Sequence, residues 1–279
     1  MLSILFMLIA GSLFPLMNGI AKLLSINYFF EQVVWARFLS HLLLVLIFLM
    51  PKYGLKIVTT RLPSVQILMS CLILTSTFLF VVGIKYISVV QASSITFTAP
   101  LIVVLIANRI LGEQVTRSRI IAVSLGFFGV LIVIRPGTEL FHWASLLILV
   151  SATFFALYQI LLRRVAGIDP PETSVIYSAL VGSVVMSLVL PFSWKTPESF
   201  VDTALFCSLG ALGGFGHYCI ARAMTYAPAN FVSPFNYWQM IGSVFVGYWL
   251  FNEFPDAFTW VGSFLIIAAG IYVSVKAEK

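Results

Sequence analysis

Charge is what this chain has least of. Only 9% of its 279 residues are Asp, Glu, Lys or Arg, and 61% are hydrophobic, whereas soluble domains carry roughly 25% charged residues. So few polar groups cannot cover a soluble fold, which excludes a water-borne enzyme or nucleic-acid binder and places the net charge of +6 beside a membrane. Cysteine is almost as scarce. Cys71, Cys207 and Cys219 are odd in number, lie in apolar runs and lack metal-ligand spacing, so a disulfide scaffold or a metal site is excluded and small packing residues are left. His41, His142 and His217 are scattered, and HExxH, GxSxG and a glycine-rich phosphate loop are all missing. No catalytic residue, metal or cofactor is implied.

What is abundant is apolar sequence in runs of about 20 residues, the length a helix needs to cross a bilayer and far too long for the strands of a membrane barrel. The expectation is an all-α membrane protein with ten transmembrane helices, near 3–24, 30–50, 64–84, 88–111, 118–135, 142–163, 172–192, 203–224, 228–251 and 258–275. Polar or Pro-containing punctuation such as PKYGLK, RPGTE and SWKTPES separates them. The first run has no basic leader or small-x-small cleavage site, so it is kept as a structural helix and not assigned as a signal peptide.

The stretch Tyr86 to Glu113 has an echo 140 residues later, from Tyr226 to Glu253, with Tyr, Ser and Glu in register. Phe14, Asn18 and Lys22 likewise match Phe155, Gln159 and Arg163 at an offset of 141. An offset of half the chain length points to internal duplication, with residues 1–137 forming one five-helix repeat and 138–279 the other. If the N-terminus is cytoplasmic, 11 of the 16 Lys and Arg residues fall on the inner side, which predicts both termini inside. Five helices per repeat then force the second repeat to enter from the opposite side, so the repeats are inverted and the substrate site lies near the midplane between them.

Ionisable and polar residues within the spans are the candidates for that site, because burying them in a bilayer costs at least about 2.5–3.5 kcal/mol for a charge. All ten carboxylates can be placed in loops or at helix ends, so no buried acid is expected as a proton carrier. Arg37 lies well inside the second span with His41 on the same face, and Lys22 lies one turn past Asn18; these groups are expected to converge on one outward mouth. Tyr158 and Gln159 offer hydrogen bonds without charge, and Ser233, Asn236, Tyr237, Trp238 and Gln239 cluster around Pro234. Asn18, Gln159 and Gln239 would orient polar edges of a substrate, Phe97, Tyr158, Tyr237 and Trp238 would stack on it, and Arg37 and Lys22 would attract an anionic group. His217 reads first as a satisfied core histidine donating to a carbonyl and second as a site residue. Gly210, Gly213, Gly214 and Gly216 read as packing positions that also permit bending.

The start Arg37-Phe38 of the second span, Pro100 followed by Leu111-Gly112-Glu113, and Gly126-x-x-Gly129 with Arg135-Pro136-Gly137 resemble the drug/metabolite transporter superfamily, EamA type. Lys22, the stretch AMTYAPANFVSPFNYWQ and FNEFPD are similar to the branch that includes S-adenosylmethionine uptake carriers and riboflavin importers. The resemblance implies a secondary transporter in a bacterial inner membrane that moves a small polar or aromatic metabolite by alternating access, as monomer or homodimer, with the lipid bilayer and a small-molecule substrate as partners and no nucleic acid. An exporter of amino acids or related metabolites shares the fold, and a non-transporting receptor or a membrane enzyme is the rival class. Members of the branch tend to carry an acid where this chain has Asn18, so a cation or proton role is not carried over to that position. The charge split makes a checkable expectation: cysteine labelling in intact cells should find Lys56 and Lys279 inside and Lys195 outside, and termini on opposite faces would refute both the ten-span count and the inverted repeat.

Overall fold

The structure is a computed structural model that describes residues 2–111, 117–227 and 232–275. Gly112, Glu113, Asn230, Lys276 and Lys279 lie outside the described residues, as do the side chains of Arg109, Arg117, Arg119, Ser233 and Pro234. The chain runs through α1 Leu2–Asn27, α2 Phe30–Phe48, α3 Pro63–Ile84, α4 Val89–Thr96, α5 Ala99–Leu111, α6 Arg117–Ile134, α7 Ala144–Val165, α8 Pro171–Val189, α9 Phe200–Tyr226, α10 Gln239–Phe251 and α11 Ala257–Val275. A helical turn Met50–Tyr53, short 3₁₀ segments and one isolated bridge between Ala166 and Asp169 complete the described residues. Six of these elements are long and apolar enough to cross a membrane, and shorter apolar helices accompany them.

Local chemistry accounts for the helix starts. Pro63 and Pro171 stand in the first turns of α3 and α8, where a missing N–H costs nothing. Ser88 and Ser199 cap α4 and α9, each side chain accepting from the N–H three residues on, at 3.0 Å.

Two spans expected as single helices are broken. The stretch 88–111 divides at Phe97–Thr98 into α4 and α5, because Pro100 has no N–H and its ring crowds the carbonyl one turn back, and the chain tightens locally with Thr98 N–H on the Ile95 carbonyl at 3.0 Å. In the stretch 228–251 the described residues begin helical at Val232, tighten into a 3₁₀ segment, Ser233–Trp238, that carries a proline in its first turn, and return to α-helix at Gln239. The interruptions fall at corresponding places 140 residues apart.

Packing pairs the two parts of the chain. Helix α1 lies along α9 as α3 lies along α7, α2 against α9 as α8 against α3, and α6 against α11. The glycines of α9 are used for these contacts: Gly210 meets Ser40, Gly213 meets Met17 and Arg37, Gly214 meets His41 and Gly216 meets Phe14. A side chain at any of them would strike α1 or α2, so they bring helices together in a helix that runs unbroken through all four.

Alternate junctions gather at opposite ends. At one end Lys22 reaches Glu253 at 2.6 Å and the Ile87 carbonyl at 3.0 Å, Tyr28 donates to Asp202 at 2.8 Å, Gln32 grips the Lys195 backbone, and Arg135 pairs with Asp256. Asn252, in the left-handed region at φ 53°, ends α10 and turns Glu253 toward Lys22. At the other end Asp169 accepts from Thr60, from the Arg61 N–H at 3.2 Å and from Gln66 at 2.9 Å, and Glu172 accepts from Tyr53 and Tyr218. Gly167 at φ 84° makes the turn that delivers Asp169.

Asp169 and Glu172 correct one expectation. Both stand at a helix end, yet both are buried, at 7% and 5% exposure, because the α7–α8 turn folds back onto the segment preceding α3. Burial by itself would raise the Asp169 carboxyl, but the Thr60, Gln66 and Arg61 N–H hydrogen bonds and the Arg61 charge outweigh it and hold the group below its ordinary 3.8. A carboxylate lowered in the folded state contributes stability that is complete above the ordinary value and is lost as pH falls through the lowered one. Asp169→Ala should therefore cost about 1–3 kcal/mol at neutral pH by stranding buried donors. The difference in melting temperature from wild type should shrink only on acidification below that ordinary value; an unchanged melting temperature at neutral pH would show that the turn needs no such tie.

Candidate substrate site

Between the two parts of the chain lies a cavity of about 80 Å³, adjoined by a second of about 30 Å³. They share Asn18, Phe80, Thr96, Phe155 and Gln239, so α1, α3, α4, α7 and α10 all contribute to one polar cleft with aromatic walls. The proline break after α4 and the 3₁₀ entry to α10 both border it, through Phe97 and Pro100 on one side and Asn236 and Gln239 on the other. Irregular backbone at membrane depth is tolerated where it lines such a cavity.

Among the described residues of this lining, Arg37 supplies the only charge. Its Nη1 donates to Thr77 Oγ1 at 2.7 Å, and its Nη2 lies 2.9 Å from His217 Nε2. A guanidinium has no acceptor, so His217 Nε2 must accept and the imidazole carries its proton on Nδ1. Thr77 and His217 are 140 residues apart, the repeat spacing, and Arg37 bridges them. No carboxylate among the described residues pairs with Arg37; its charge rests on neutral partners. The His217 ring stands edge-on to Phe14 at 5.1 Å, Tyr158 at 5.9 Å and Phe155 at 6.4 Å, and its Nδ1 has no hydrogen-bond partner.

Gln159 is fully enclosed and lines the smaller cavity, yet among the described residues neither its Oε1 nor its Nε2 has a partner. Two unmet amide groups cost about 1–3 kcal/mol each, which a ligand would relieve. Gln239 donates weakly to Asn236 at 3.3 Å. Asn18 faces both cavities.

The remaining expected residues are distributed differently. Phe97 lines the smaller cavity, and Tyr237 stands behind it, edge-on at 5.3 Å and seated over Gly270. Trp238 is 44% exposed and donates to Ser12. Lys22, Arg37 and His41 do not converge on one mouth. Lys22 is engaged with Glu253 and the Ile87 carbonyl, Arg37 with Thr77 and His217, and His41 lines a separate, mostly apolar space of about 390 Å³ between α2, α8 and α9. Sequence reading passed over Phe14, Phe80, Phe155, Thr77, Ser76 and Ser151 as site residues. A signal was present for two of them: Phe14 and Phe155 precede Asn18 and Gln159 by four residues at matching places in the repeat, so each shares a helix face with its amide. Ser76 and Ser151 join α3 to α7 by reciprocal hydrogen bonds, each hydroxyl on the other's carbonyl, at 3.0 and 2.7 Å.

A helical membrane bundle with a polar cleft enclosed between its two parts is the architecture of a multi-pass membrane transporter. The chain belongs to the EamA-like transporter family, whose model matches residues 1–135 and again 142–275. It is 27% identical over 253 residues to the S-adenosylmethionine uptake transporter of Rickettsia prowazekii, covering 91% of this chain and 82% of that protein. It is also 27% identical to the riboflavin transporter of Rhizobium johnstonii, over 96% of this chain and 89% of that one, and 26% identical to the riboflavin transporter of Vibrio cholerae, over 99% and 93%. A solved crystal structure shares the fold at a TM-score of 0.72 and 15% identity, over 99% of this chain and 96% of that one.

If Gln159 is kept unsatisfied for a ligand, its loss should separate stability from function. Gln159→Met should leave the melting temperature unchanged or raise it, since up to about 1–3 kcal/mol per stranded group is relieved, while substrate affinity falls. A destabilised Gln159→Met protein with unaltered affinity would make the amide structural.

Proposed function

We propose that the chain is a secondary carrier that moves a small polar or aromatic metabolite across a bacterial inner membrane by alternating access between its two repeats. The observation that carries this reading is the cleft itself: it is walled by both parts of the chain and lined by Gln159, Asn18 and Arg37, whose hydrogen-bonding capacity the described residues do not exhaust. Phe80, Phe97 and Phe155 offer apolar faces to a ring, and the amides and Arg37 offer orientation. Relatives named for S-adenosylmethionine and riboflavin support a substrate of this size and character.

Ten spans in two inverted five-helix repeats, with both termini inside, remain the arrangement we favour. The exchange pattern of helix contacts and the gathering of alternate junctions at opposite ends support it. On that reading Lys22–Glu253 ties the repeats together on the outer side, and the tie must open when the cleft turns outward.

Uptake of S-adenosylmethionine and riboflavin into sealed vesicles containing the purified protein tests the function directly. With the three native cysteines replaced, a double variant Lys22→Cys and Glu253→Cys should carry solute when free and stop when joined by a short bismaleimide, with activity falling in proportion to the fraction joined. Transport that persists in fully cross-linked protein would rule out movement at this tie.

A further inference from the structure

We propose that the Arg37–His217 pair is a carboxylate site in which binding of the anion draws one proton onto His217, so that an organic anion and a proton cross together. This rests on reading the cleft as the transport site and adds to it a substrate class and a coupling ion.

The charge arithmetic comes first. Arg37 is a permanent cation, 9% exposed, inside a bundle, with hydrogen bonds to a hydroxyl and a neutral imidazole and with no carboxylate pairing it among the described residues. A buried charge is costly unless it is paired. The guanidinium has five N–H groups in a planar fork, two of which are used by these bonds, and a carboxylate is the ligand that fits such a fork with two parallel bonds.

The hydrogen-bond direction supplies the coupling. In this structure His217 Nε2 accepts from Arg37, which requires its lone pair to be free. A proton arriving at Nε2 would abolish that bond and set two cationic donors face to face 2.9 Å apart. With a carboxylate seated between them, both groups become donors to the same anion and the second positive charge is compensated. Anion binding therefore favours protonation of His217, and by reciprocity protonation favours the anion. The proton enters from water on the side where the cleft is open, resides on Nε2, and leaves with the substrate on the other side.

Other ionisable groups facing His217 do not offer the same device. From α2 they are Arg37, which stays charged, and His41, one turn away and turned into the separate apolar space. From α7 it is Tyr158, a phenol that ordinarily titrates near 10. Helices α1 and α3 present Phe14 and Thr77, which do not titrate.

The test uses the purified full-length protein in detergent with propionate and benzoate as probes, and propionamide and benzamide as neutral controls of the same shape. Titration calorimetry in two buffers of different ionisation enthalpy counts protons taken up on binding. Both carboxylates should bind about thirtyfold more tightly near pH 6 than near pH 7.5, since one proton coupled to binding shifts affinity about tenfold per pH unit, within the usual range of coupling between two sites. Close to one proton should be taken up per anion at the higher pH, and the amides should bind at least about tenfold more weakly, the value of one lost charged hydrogen bond. His217→Gln keeps an acceptor for Arg37 but cannot titrate, so proton uptake should vanish; His41→Gln should retain it. The proposal is overturned if carboxylates do not bind, bind without proton uptake, bind no better than amides, or give way to inorganic phosphate. Proton uptake that survives His217→Gln or disappears in His41→Gln overturns it equally. Should His217→Gln fail to fold, the proton count on the wild-type protein decides. Because binding is read in detergent, vesicles that take up no solute while this linkage holds would refute the carrier reading and leave the anion site standing.

Discussion

The structure is governed by the absence of water inside a bilayer bundle. Every polar group buried there has to find a partner within the protein, and most do. Serine and threonine hydroxyls bond carbonyls a turn back on their own helices, as Ser25, Ser70 and Ser178 do, and Ser76 and Ser151 satisfy one another across two helices. Exceptions among the described residues include the Ser145, Thr173 and Ser183 hydroxyls, and Gln159 differs from them in having both polar side-chain atoms unmet. Both amide atoms of Gln159 and Nδ1 of His217 are unmet, and they lie on or beside one cleft.

The same constraint shapes the backbone around that cleft. A helix interrupted in lipid would expose carbonyls with nothing to bond, yet interruptions occur after α4 and before α10, where both border the cavity. Pro100 accounts for the first, and the helices α5 and α10 that follow the two interruptions start 140 residues apart, at Ala99 and Gln239. Glycine does complementary work in α9. By removing side chains where α1 and α2 approach, it lets Arg37 and Phe14 reach a depth at which His217 can meet them.

Charge is managed by location. Lys22, Arg135, Asp169 and Glu172 are partnered at the ends of the bundle, where they tie one part of the chain to the other. Among the described residues of the cleft lining, Arg37 alone holds a charge, and it does so against neutral groups. On the proposed carrier reading, ties at the ends could exchange during a conformational cycle while unspent affinity stays in the middle for substrate.

Much of this was legible in the chain itself. Sparse charge and apolar runs of bilayer length determined a helical membrane protein, because in lipid only helices and closed barrels satisfy the backbone and runs of about 20 residues are too long for barrel strands. The half-length offset pointed to an internal duplication, and Asn18, Gln159 and Arg37 stood out because polar residues in apolar runs are expensive. Which polar residues share a cleft was not legible. Lys22 and Arg37 look alike in sequence, and only the fold brings Glu253 from 231 residues away to match the first and leaves the second without an acid. Asp169 and Glu172 sit at a helix end where exposure is the natural expectation, and only the turn at Gly167, packed on Thr60 and Gln66, buries one of them. Hydropathy and periodicity act along one helix at a time, so the sequence by itself determined the class of the molecule and its candidate residues. Partners for those residues come from helices distant in the chain, and that choice belonged to the tertiary packing alone.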